Sequence, residues 1–292
     1  MSIDVLQEKI RKAKNPSMVD LTLKVSDLPL CCLTAEAGRA AAYGKFCREL
    51  LGALKGIVPA VRVGFTAFAV LGPDGLAELQ SVLHAAAAHG YYVLLEAPYI
   101  LSPMMAEATA EAVWGDDAVY PCDGLMISAY PGSDVIKPFL PYVKDKKKDL
   151  FPVLRTSNKT APEIQDLLTG TRLVHVAAAD LVSRFGGDSV GKCGYARVGA
   201  VAGGNSAESL RNLRMKYPKL FLLIDDIDYS GCNAKICSNA FDKFGHGAVV
   251  CAGPTITAAW KFAETDGNDY LEQAVAAAER MKKNLTRYAA VL

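Results

Sequence analysis

Short apolar segments alternate with amphipathic segments along most of this chain of 292 residues. The apolar runs are continuous, which is typical of parallel strands that are buried on both faces. Eight runs are predicted strands: 17–23, 60–65, 91–97, 124–128, 150–155, 195–202, 220–225 and 248–252. Helical spacing is found at 35–54, 75–89, 104–114, 134–144, 161–168, 173–185, 206–215 and 270–288. This alternation predicts an α/β fold, a (β/α)8 TIM barrel that forms a single domain over residues 1–292.

A doubly wound open sheet is the alternative fold for the same alternation. Such a sheet commonly has fewer strands, and the first predicted strand is not followed by a Gly-x-Gly-x-x-Gly turn. The pair Gly203-Gly204 is a candidate phosphate loop, although such a pair more often only forms a tight turn. We therefore favour the barrel.

Charge and cysteine content narrow the classes of function. The chain has 32 basic and 31 acidic residues, which gives no electrostatic basis for binding nucleic acid or an anionic membrane. Its first residues carry charges and no long apolar run, so we expect a cytoplasmic protein with no signal peptide and no membrane partner. The eight cysteines lack zinc-site spacing and are too dilute for a disulfide scaffold. We expect reduced thiols, no metal and no cofactor.

Three segments of the chain share one order and spacing with a known family. Residues 153–158 read Val-Leu-Arg-Thr-Ser-Asn, with a Gln at 165. Residues 127–140 include Tyr-Pro-Gly-Ser-Asp and Pro-Phe-Leu, and residues 198–203 read Val-Gly-Ala-Val-Ala-Gly. Together these segments resemble the longer, bacterial-type branch of the orotidine 5'-phosphate decarboxylase family. The resemblance implies a lyase of pyrimidine biosynthesis, a homodimer with sites at the shared face, and contacts from Thr156 and Ser157 to the pyrimidine.

The chain departs from this family at the positions that carry the reaction. The family's Asp-x-Lys-x-x-Asp motif is replaced by Glu96, Pro98 and Leu101. A lysine after the second strand is replaced by Arg62, and the aspartate that holds the ribose is replaced by Thr22. Proline cannot donate a proton, and a guanidinium with a pKa above about 12 is a poor proton donor at neutral pH.

The phosphate-binding elements implied by the resemblance are also replaced. The family's Gly-rich loop after the seventh strand reads Asp-Asp-Ile-Asp-Tyr-Ser-Gly at 225–231, and its Ser-Arg-Gly reads Gly-Pro-Thr at 253–255. Aspartates would repel a phosphate dianion, which needs N–H groups, Arg or Lys. We therefore expect a pseudoenzyme that lacks decarboxylase activity and has a binding, regulatory or assembly role.

Residues at the carboxyl ends of barrel strands line the site of such a fold. Glu96 and Arg62 are the candidates for a catalytic role, and a small-molecule ligand is the expected partner, with assembly as a homodimer or with an active homologue. Alternatively, the charged groups here pair with one another as buried ions. The predicted ligand-binding residues are Thr22, Arg62, Glu96, Ser128, Arg155, Thr156, Ser157, Asp225 and Asp226.

Two other functions are compatible with the same residues. The first is an enzyme with new chemistry, in which Glu96 is the acid or base and Arg62 or Arg155 binds an anionic group. The second is a genuine orotidine 5'-phosphate decarboxylase in which Lys24 or Lys159 supplies the missing ammonium group.

Two further site hypotheses rest on weaker patterns. The oxygen ligands of Asp225, Asp226 and Asp228 could bind a hard divalent cation, although a solvated or Arg-paired loop is the simpler interpretation. A nucleophilic Cys232 or Cys251 would need a base, and His246 is the candidate.

Overall fold

A computed structural model describes residues 2–36, 38–97, 99–225, 227 and 231–290. Within these residues the chain forms ten strands and thirteen α-helices. The strands are β1 Ser17–Asp20, β2 Ala60–Gly64, β3 Tyr92–Glu96, β4 Gly124–Ser128, β5 Asp149–Arg155, β6 Leu168–Thr169, β7 Arg172–Leu173, β8 Ala200–Gly203, β9 Leu222–Asp225 and β10 Ala248–Ala252. The helices are α1 Ile3–Ala13, α2 Leu30–Ala35, α3 Arg39–Ala53, α4 Phe65–Ala69, α5 Gly72–Ala88, α6 Pro103–Trp114, α7 Leu140–Asp145, α8 Val174–Gly186, α9 Ala207–Lys216, α10 Ala234–Cys237, α11 Pro254–Thr257, α12 Ala259–Phe262 and α13 Tyr270–Thr286.

Eight of the strands close into a parallel barrel in the order β1-β10-β9-β8-β5-β4-β3-β2. This closure confirms the predicted TIM barrel and excludes the open sheet. The strands pair with their neighbours in parallel register, so that their carboxyl ends meet at one face, which we call the mouth. A separate antiparallel hairpin, β6–β7, follows β5.

The core has two parts because alternate residues of each strand point to opposite faces of the barrel wall. Tyr92, Leu94 and Phe151 belong to the inner cluster, whereas Val93 and Leu95 belong to the cluster shared with the surrounding helices. Both faces of the wall are therefore buried away from water, which is why the strand sequences are continuous apolar runs.

Helix α1 was not expected from the sequence. Its residues Ile3, Leu6 and Ile10 are fully buried and belong to the inner cluster of the barrel. The Gly247 N–H, just before β10, donates to Gln7 Oε1. The helix therefore closes the barrel at the amino ends of the strands, opposite the mouth.

Three predicted helices differ from the observed elements. The helix predicted at 161–168 is wrong: a 3-10 turn at Ala161–Glu163 leads into the β6–β7 hairpin. Its apolar residues Ile164 and Leu167 are exposed, so their spacing does not mark a buried helix face. The segment 134–144 forms two 3-10 turns before α7, and 35–54 is divided between α2 and α3.

Candidate functional site

The mouth of the barrel collects polar residues that end the strands. Asp20, Glu96, Ser128, Arg155 and Asp225 are the last residues of β1, β3, β4, β5 and β9. The sequence therefore places these side chains correctly at the carboxyl ends of the wall, although their partners could be learned only from the structure.

Arg62 is the centre of the charged network at the mouth. It lies beside Asp20 in the register of β1 and β2, and its side chain is 5% exposed. Its Nη2 donates to Asp20 Oδ2 at 2.5 Å, and its Nη1 donates to Asp225 Oδ1 across the mouth. Burial lowers the pKa of Arg62, but the two carboxylates outweigh it and hold that pKa above its usual value. Arg62 is therefore a fixed cation whose charge is already compensated.

Glu96 is the third carboxyl group beside Arg62. Its Oε2 lies 3.9 Å from Arg62 Nε, which is an ion-pair separation and is too long for a hydrogen bond. Burial raises the pKa of Glu96, Arg62 opposes the shift, and Asp20 and Asp225 add to it. Its side chain remains 32% exposed, so Glu96 is the carboxyl group of this network that is most open to solvent.

Two polar atoms at the mouth are buried without a hydrogen-bond partner among the described residues. They are Thr22 Oγ1 and Arg62 Nε. The backbone N–H of Thr22 donates to Asp20 Oδ1 at 2.9 Å, which ties this position to the network. A buried polar atom without a partner is costly, so the two atoms indicate a place for water or for a ligand.

The other predicted mouth residues have structural contacts. Ser157 Oγ donates to the Asp225 carbonyl at 2.9 Å, and Ser128 Oγ accepts from the Tyr130 N–H at 3.3 Å. The Thr156 N–H donates to Gln165 Oε1 at 2.8 Å. These contacts connect the ends of β4 and β5 to the loops that follow them, and the end of β9 to the loop after β5.

Arg155 forms its hydrogen bonds with residues outside the Arg62 network. Its Nε and Nη2 donate to the two carboxylate oxygens of Asp166 at 2.9 and 3.0 Å, and its Nη1 donates to Asn205 Oδ1 at 2.8 Å. It lines a cavity beside α8 and α9 together with His175. Asp166, Asn205 and His175 were not predicted from the sequence. The position of Asp166 directly after Gln165, which belongs to the segment that resembles the family, was the available signal.

Several sequence predictions fall on residues that the structure does not describe. Pro98, Asp226 and Asp228 lie outside the described residues. Leu101, which the resemblance aligns with the last position of the family's motif, is 69% exposed. The cation hypothesis rests on two of these aspartates, and among the described residues no three His, Cys, Asp or Glu side chains form a metal-sized group.

The proposed Cys–His pairing does not fit the barrel. His246 precedes β10 and lies at the amino end, where Gly247 contacts Gln7 of α1. Cys232 follows β9 at the opposite end, and its sulfur lies over Gly204 beside that of Cys237. Cys251 is buried within β10.

None of the helices in the described part of the chain has the length and apolar character needed to span a membrane.

Comparison with known proteins identifies relatives over most of the chain. Orotidine 5'-phosphate decarboxylase of Rhodopirellula baltica is 31% identical over 254 residues, 84% of each chain. The enzyme of the same name from Clostridium novyi is 28% identical over 286 residues, 98% of each chain. No protein-family model matches.

Solved structures share the fold at lower identity. Orotidine 5'-monophosphate decarboxylase of Plasmodium berghei superimposes with a TM-score of 0.77 at 13% identity, covering 98% of this chain and 99% of that one. The OMP decarboxylase of Leishmania donovani has a TM-score of 0.73 at 22% identity, covering 97% and 99%.

Proposed function

This chain belongs to the orotidine 5'-phosphate decarboxylase family. We propose that it is a diverged member of this family that lacks decarboxylase activity. Its role would be binding, regulation or assembly, with the mouth of the barrel as the site of a small-molecule ligand.

The observation that carries the proposal is the state of Arg62. Decarboxylation leaves negative charge on a pyrimidine carbon, and a proton must then be delivered to that carbon. The cation here is a guanidinium held by Asp20 and Asp225, with its pKa above its usual value. Such a group neither releases a proton at neutral pH nor has uncompensated charge to stabilise a carbanion.

The balance of charge at the mouth also opposes the family's substrate. Three carboxyl groups, from Asp20, Glu96 and Asp225, surround the single guanidinium of Arg62. A phosphate dianion placed beside this group would meet more negative than positive charge. Loss of phosphate binding removes interaction energy that such enzymes use at the reacting carbon.

A decarboxylation assay tests the proposal. Orotidine 5'-phosphate absorbance is followed at high protein concentration, and no turnover above background is expected. Turnover near about 1 per second that follows the protein through purification would overturn it. Lys24→Met and Lys159→Met variants would then show whether either lysine supplies the ammonium group.

A variant in which the family's charged residues are restored is the positive control for this assay. Arg62→Lys, Glu96→Asp, Pro98→Lys and Leu101→Asp together return the family's charged groups to these positions. Gain of measurable turnover in this variant, with none in the natural sequence, would assign the loss to these residues. Turnover in the natural sequence that the four changes do not raise would argue against the assignment.

An enzyme with new chemistry is the second candidate, and the state of Glu96 favours it. A partly exposed carboxyl group whose pKa is raised by burial is a suitable general acid or base. Arg155 is unsuited to the anion-binding role in this scheme because its donors are already engaged by Asp166 and Asn205. Any activity found must disappear in Glu96→Gln; full retention would remove Glu96 from the role.

A further inference from the structure

Two cysteine thiols lie side by side at the mouth of the barrel, outside the Arg62 network. A Cβ atom placed on Gly204 would come within 3.2 Å of the sulfur atoms of both Cys232 and Cys237. Gly204 directly follows Gly203, the residue of β8 that is paired with Asp225 at the end of β9. Both cysteines are free thiols. A side chain at 204 would overlap with the sulfurs, so the glycine makes room for the pair at this end of the wall.

The local sequence brings the two sulfurs together. Asn233 is the N-cap of α10, and its Oδ1 accepts from the Ile236 N–H at 2.9 Å. The Cys237 N–H donates to the Asn233 carbonyl at 3.0 Å, which completes one helical turn. Cys232 precedes the N-cap and Cys237 is the fourth residue of the helix, the two positions whose side chains meet in a hydrophobic staple. Their contact therefore follows from the start of this helix.

The two sulfurs differ in their exposure to solvent. Cys232 is partly exposed, whereas Cys237 is fully buried. The hydrogen bond with Cys232 and burial raise the pKa of the Cys237 thiol well above its usual value, so Cys237 keeps its proton. An oxidant from solvent therefore meets the sulfur of Cys232 first. A partly exposed cysteine in contact with a second thiol is an arrangement typical of redox-sensitive sites.

We propose that Cys232 and Cys237 form a reversible disulfide when the protein meets hydrogen peroxide. The Cys232 sulfur attacks one peroxide oxygen, the O–O bond breaks, and Cys232 becomes a sulfenic acid with release of water. The Cys237 sulfur then attacks the Cys232 sulfur: the S–S bond forms, the S–O bond breaks, and the departing hydroxide takes the Cys237 proton and leaves as a second water. The pair loses two electrons, which the peroxide gains. A small dithiol reverses the oxidation by thiol–disulfide exchange.

The disulfide reaches the mouth through the segment that leads from β9 into α10. Cys232 follows Asp225 by seven residues, and Asp225 is paired with Arg62 and accepts from Ser157 through its carbonyl. An S–S bond of about 2.05 Å is much shorter than a contact between two thiols, so the packing on Gly204 changes when it forms. The disulfide is independent of the proposed loss of decarboxylase activity.

Peptide mapping of the full chain tests this disulfide. The folded protein is treated with hydrogen peroxide, the remaining thiols are alkylated, and the chain is then denatured and digested with trypsin without reduction. Cleavage after Lys219, Lys235 and Lys243 places the two cysteines in peptides 220–235 and 236–243, each with a single cysteine. The two peptides should be recovered joined and two hydrogens lighter than the separate peptides together, and a dithiol should separate them.

Two variants assign the role of each sulfur. In Cys237→Ala the sulfenic acid of Cys232 has no thiol beside it, so the sulfenic-acid reagent dimedone should label Cys232. In Cys232→Ala the Cys237 sulfur should remain a reduced thiol, because it is buried. Cys193 is the internal control, since it is also partly exposed but should enter no disulfide.

Three outcomes would each overturn the proposal. The first is the absence of joined peptides after peroxide treatment of the natural chain. The second is linkage of Cys232 to a cysteine other than Cys237. The third is equal dimedone labelling of Cys232 in the natural chain and in Cys237→Ala, which would show that Cys237 does not react with the sulfenic acid.

Discussion

The stability of the Arg62 network can be tested at the residue scale. Arg62→Met leaves Asp20 and Asp225 without their cation, and breaking a buried pair in this way costs about 3–5 kcal/mol of unfolding free energy. Urea denaturation of the natural chain and of the variant at pH 7 measures the loss.

The matched control for Arg62 is Arg48, which pairs with Glu78 in a partly exposed position. The two side chains are 35% and 23% exposed, so solvent screens this pair more than the Arg62 network, and Arg48→Met should cost about 1 kcal/mol or less. Equal losses in the two variants would mean that the mouth is more hydrated than the structure indicates.

Asp149 gives the chain a pH-dependent stability. Burial raises the pKa of this carboxyl group to about 8, although hydrogen bonds from Tyr92 and the Ile3 N–H oppose the shift. In the unfolded chain an aspartate has a pKa of about 3.9. The folded chain therefore holds this proton more tightly, so the stabilising contribution is complete below the unfolded pKa and is lost as the pH rises through about 8.

We expect the unfolding free energy to fall between pH 5 and pH 9 and the Asp149→Asn variant to show a smaller fall. The difference should be on the order of 3–5 kcal/mol across this range. Asp116→Asn is the control, because Asp116 is 95% exposed. Identical pH profiles for the natural chain and Asp149→Asn would show that Asp149 is ionised in the folded protein at neutral pH.

The sequence predicted which side chains stand at the mouth but not how they pair. The positions of Glu96, Ser128 and Asp225 follow from strand ends, because parallel strands in a barrel deliver their carboxyl ends to one face. The pairing of Arg62 with Asp225 joins residues that are 163 positions apart, and no local pattern encodes it. His175 was missed for a related reason: its environment depends on the loop and hairpin between β5 and α8.

Arg214 illustrates stabilisation at the scale of elements. Its guanidinium donates to four carbonyl oxygens, those of Ala240, Pro218, Leu220 and Gly247, and lies over the ring of Tyr195. These contacts join the end of α9 to the segments that precede β9 and β10. Arg214→Lys should lower the unfolding free energy by about 2–4 kcal/mol, because one ammonium group cannot reach four carbonyls.

Hydrogen exchange locates the effect of Arg214→Lys. Faster exchange is expected for the amides around β9 and β10, with little change in β3 and β4. Arg211→Lys is the control on the same helix, because among the described residues the hydrogen bonds of the Arg211 side chain go only to Asn239 at the surface. Uniformly faster exchange across the barrel would assign Arg214 a global role.

The eight strands of the barrel wall were predicted from the sequence. The helix predictions failed in segments where prolines and exposed apolar residues interrupt the helical pattern. The strands β4 and β10 have the predicted bounds, because both faces of the wall require apolar residues. In the region before α8, Gly170 has a positive φ of 66° and turns the β6–β7 hairpin. Helical spacing in that stretch came from side chains that face solvent.

At the scale of the whole molecule, we propose that the chain assembles as a homodimer, as the family resemblance implies. The segment that follows β3 supports an interaction surface beside the mouth. Its side chains Tyr99, Leu101 and Met104 are 64%, 69% and 75% exposed, and apolar groups clustered in this way commonly mark an interface. The segment after β3 would thus contribute apolar surface at the position where the resemblance implies catalytic charge.

Sedimentation of the full chain tests this assembly. The natural chain should sediment as a dimer, and Leu101→Glu with Met104→Glu should raise the dissociation constant by about 100-fold or more, because each change would bury a charge. The control pair Val70→Glu and Phe262→Glu alters residues that are equally exposed but lie on other elements. A dimer that survives the first pair and dissociates in the control pair would move the interface away from the mouth. A natural chain that sediments as a monomer would favour assembly with an active homologue, since the apolar residues after β3 would then still lack a partner.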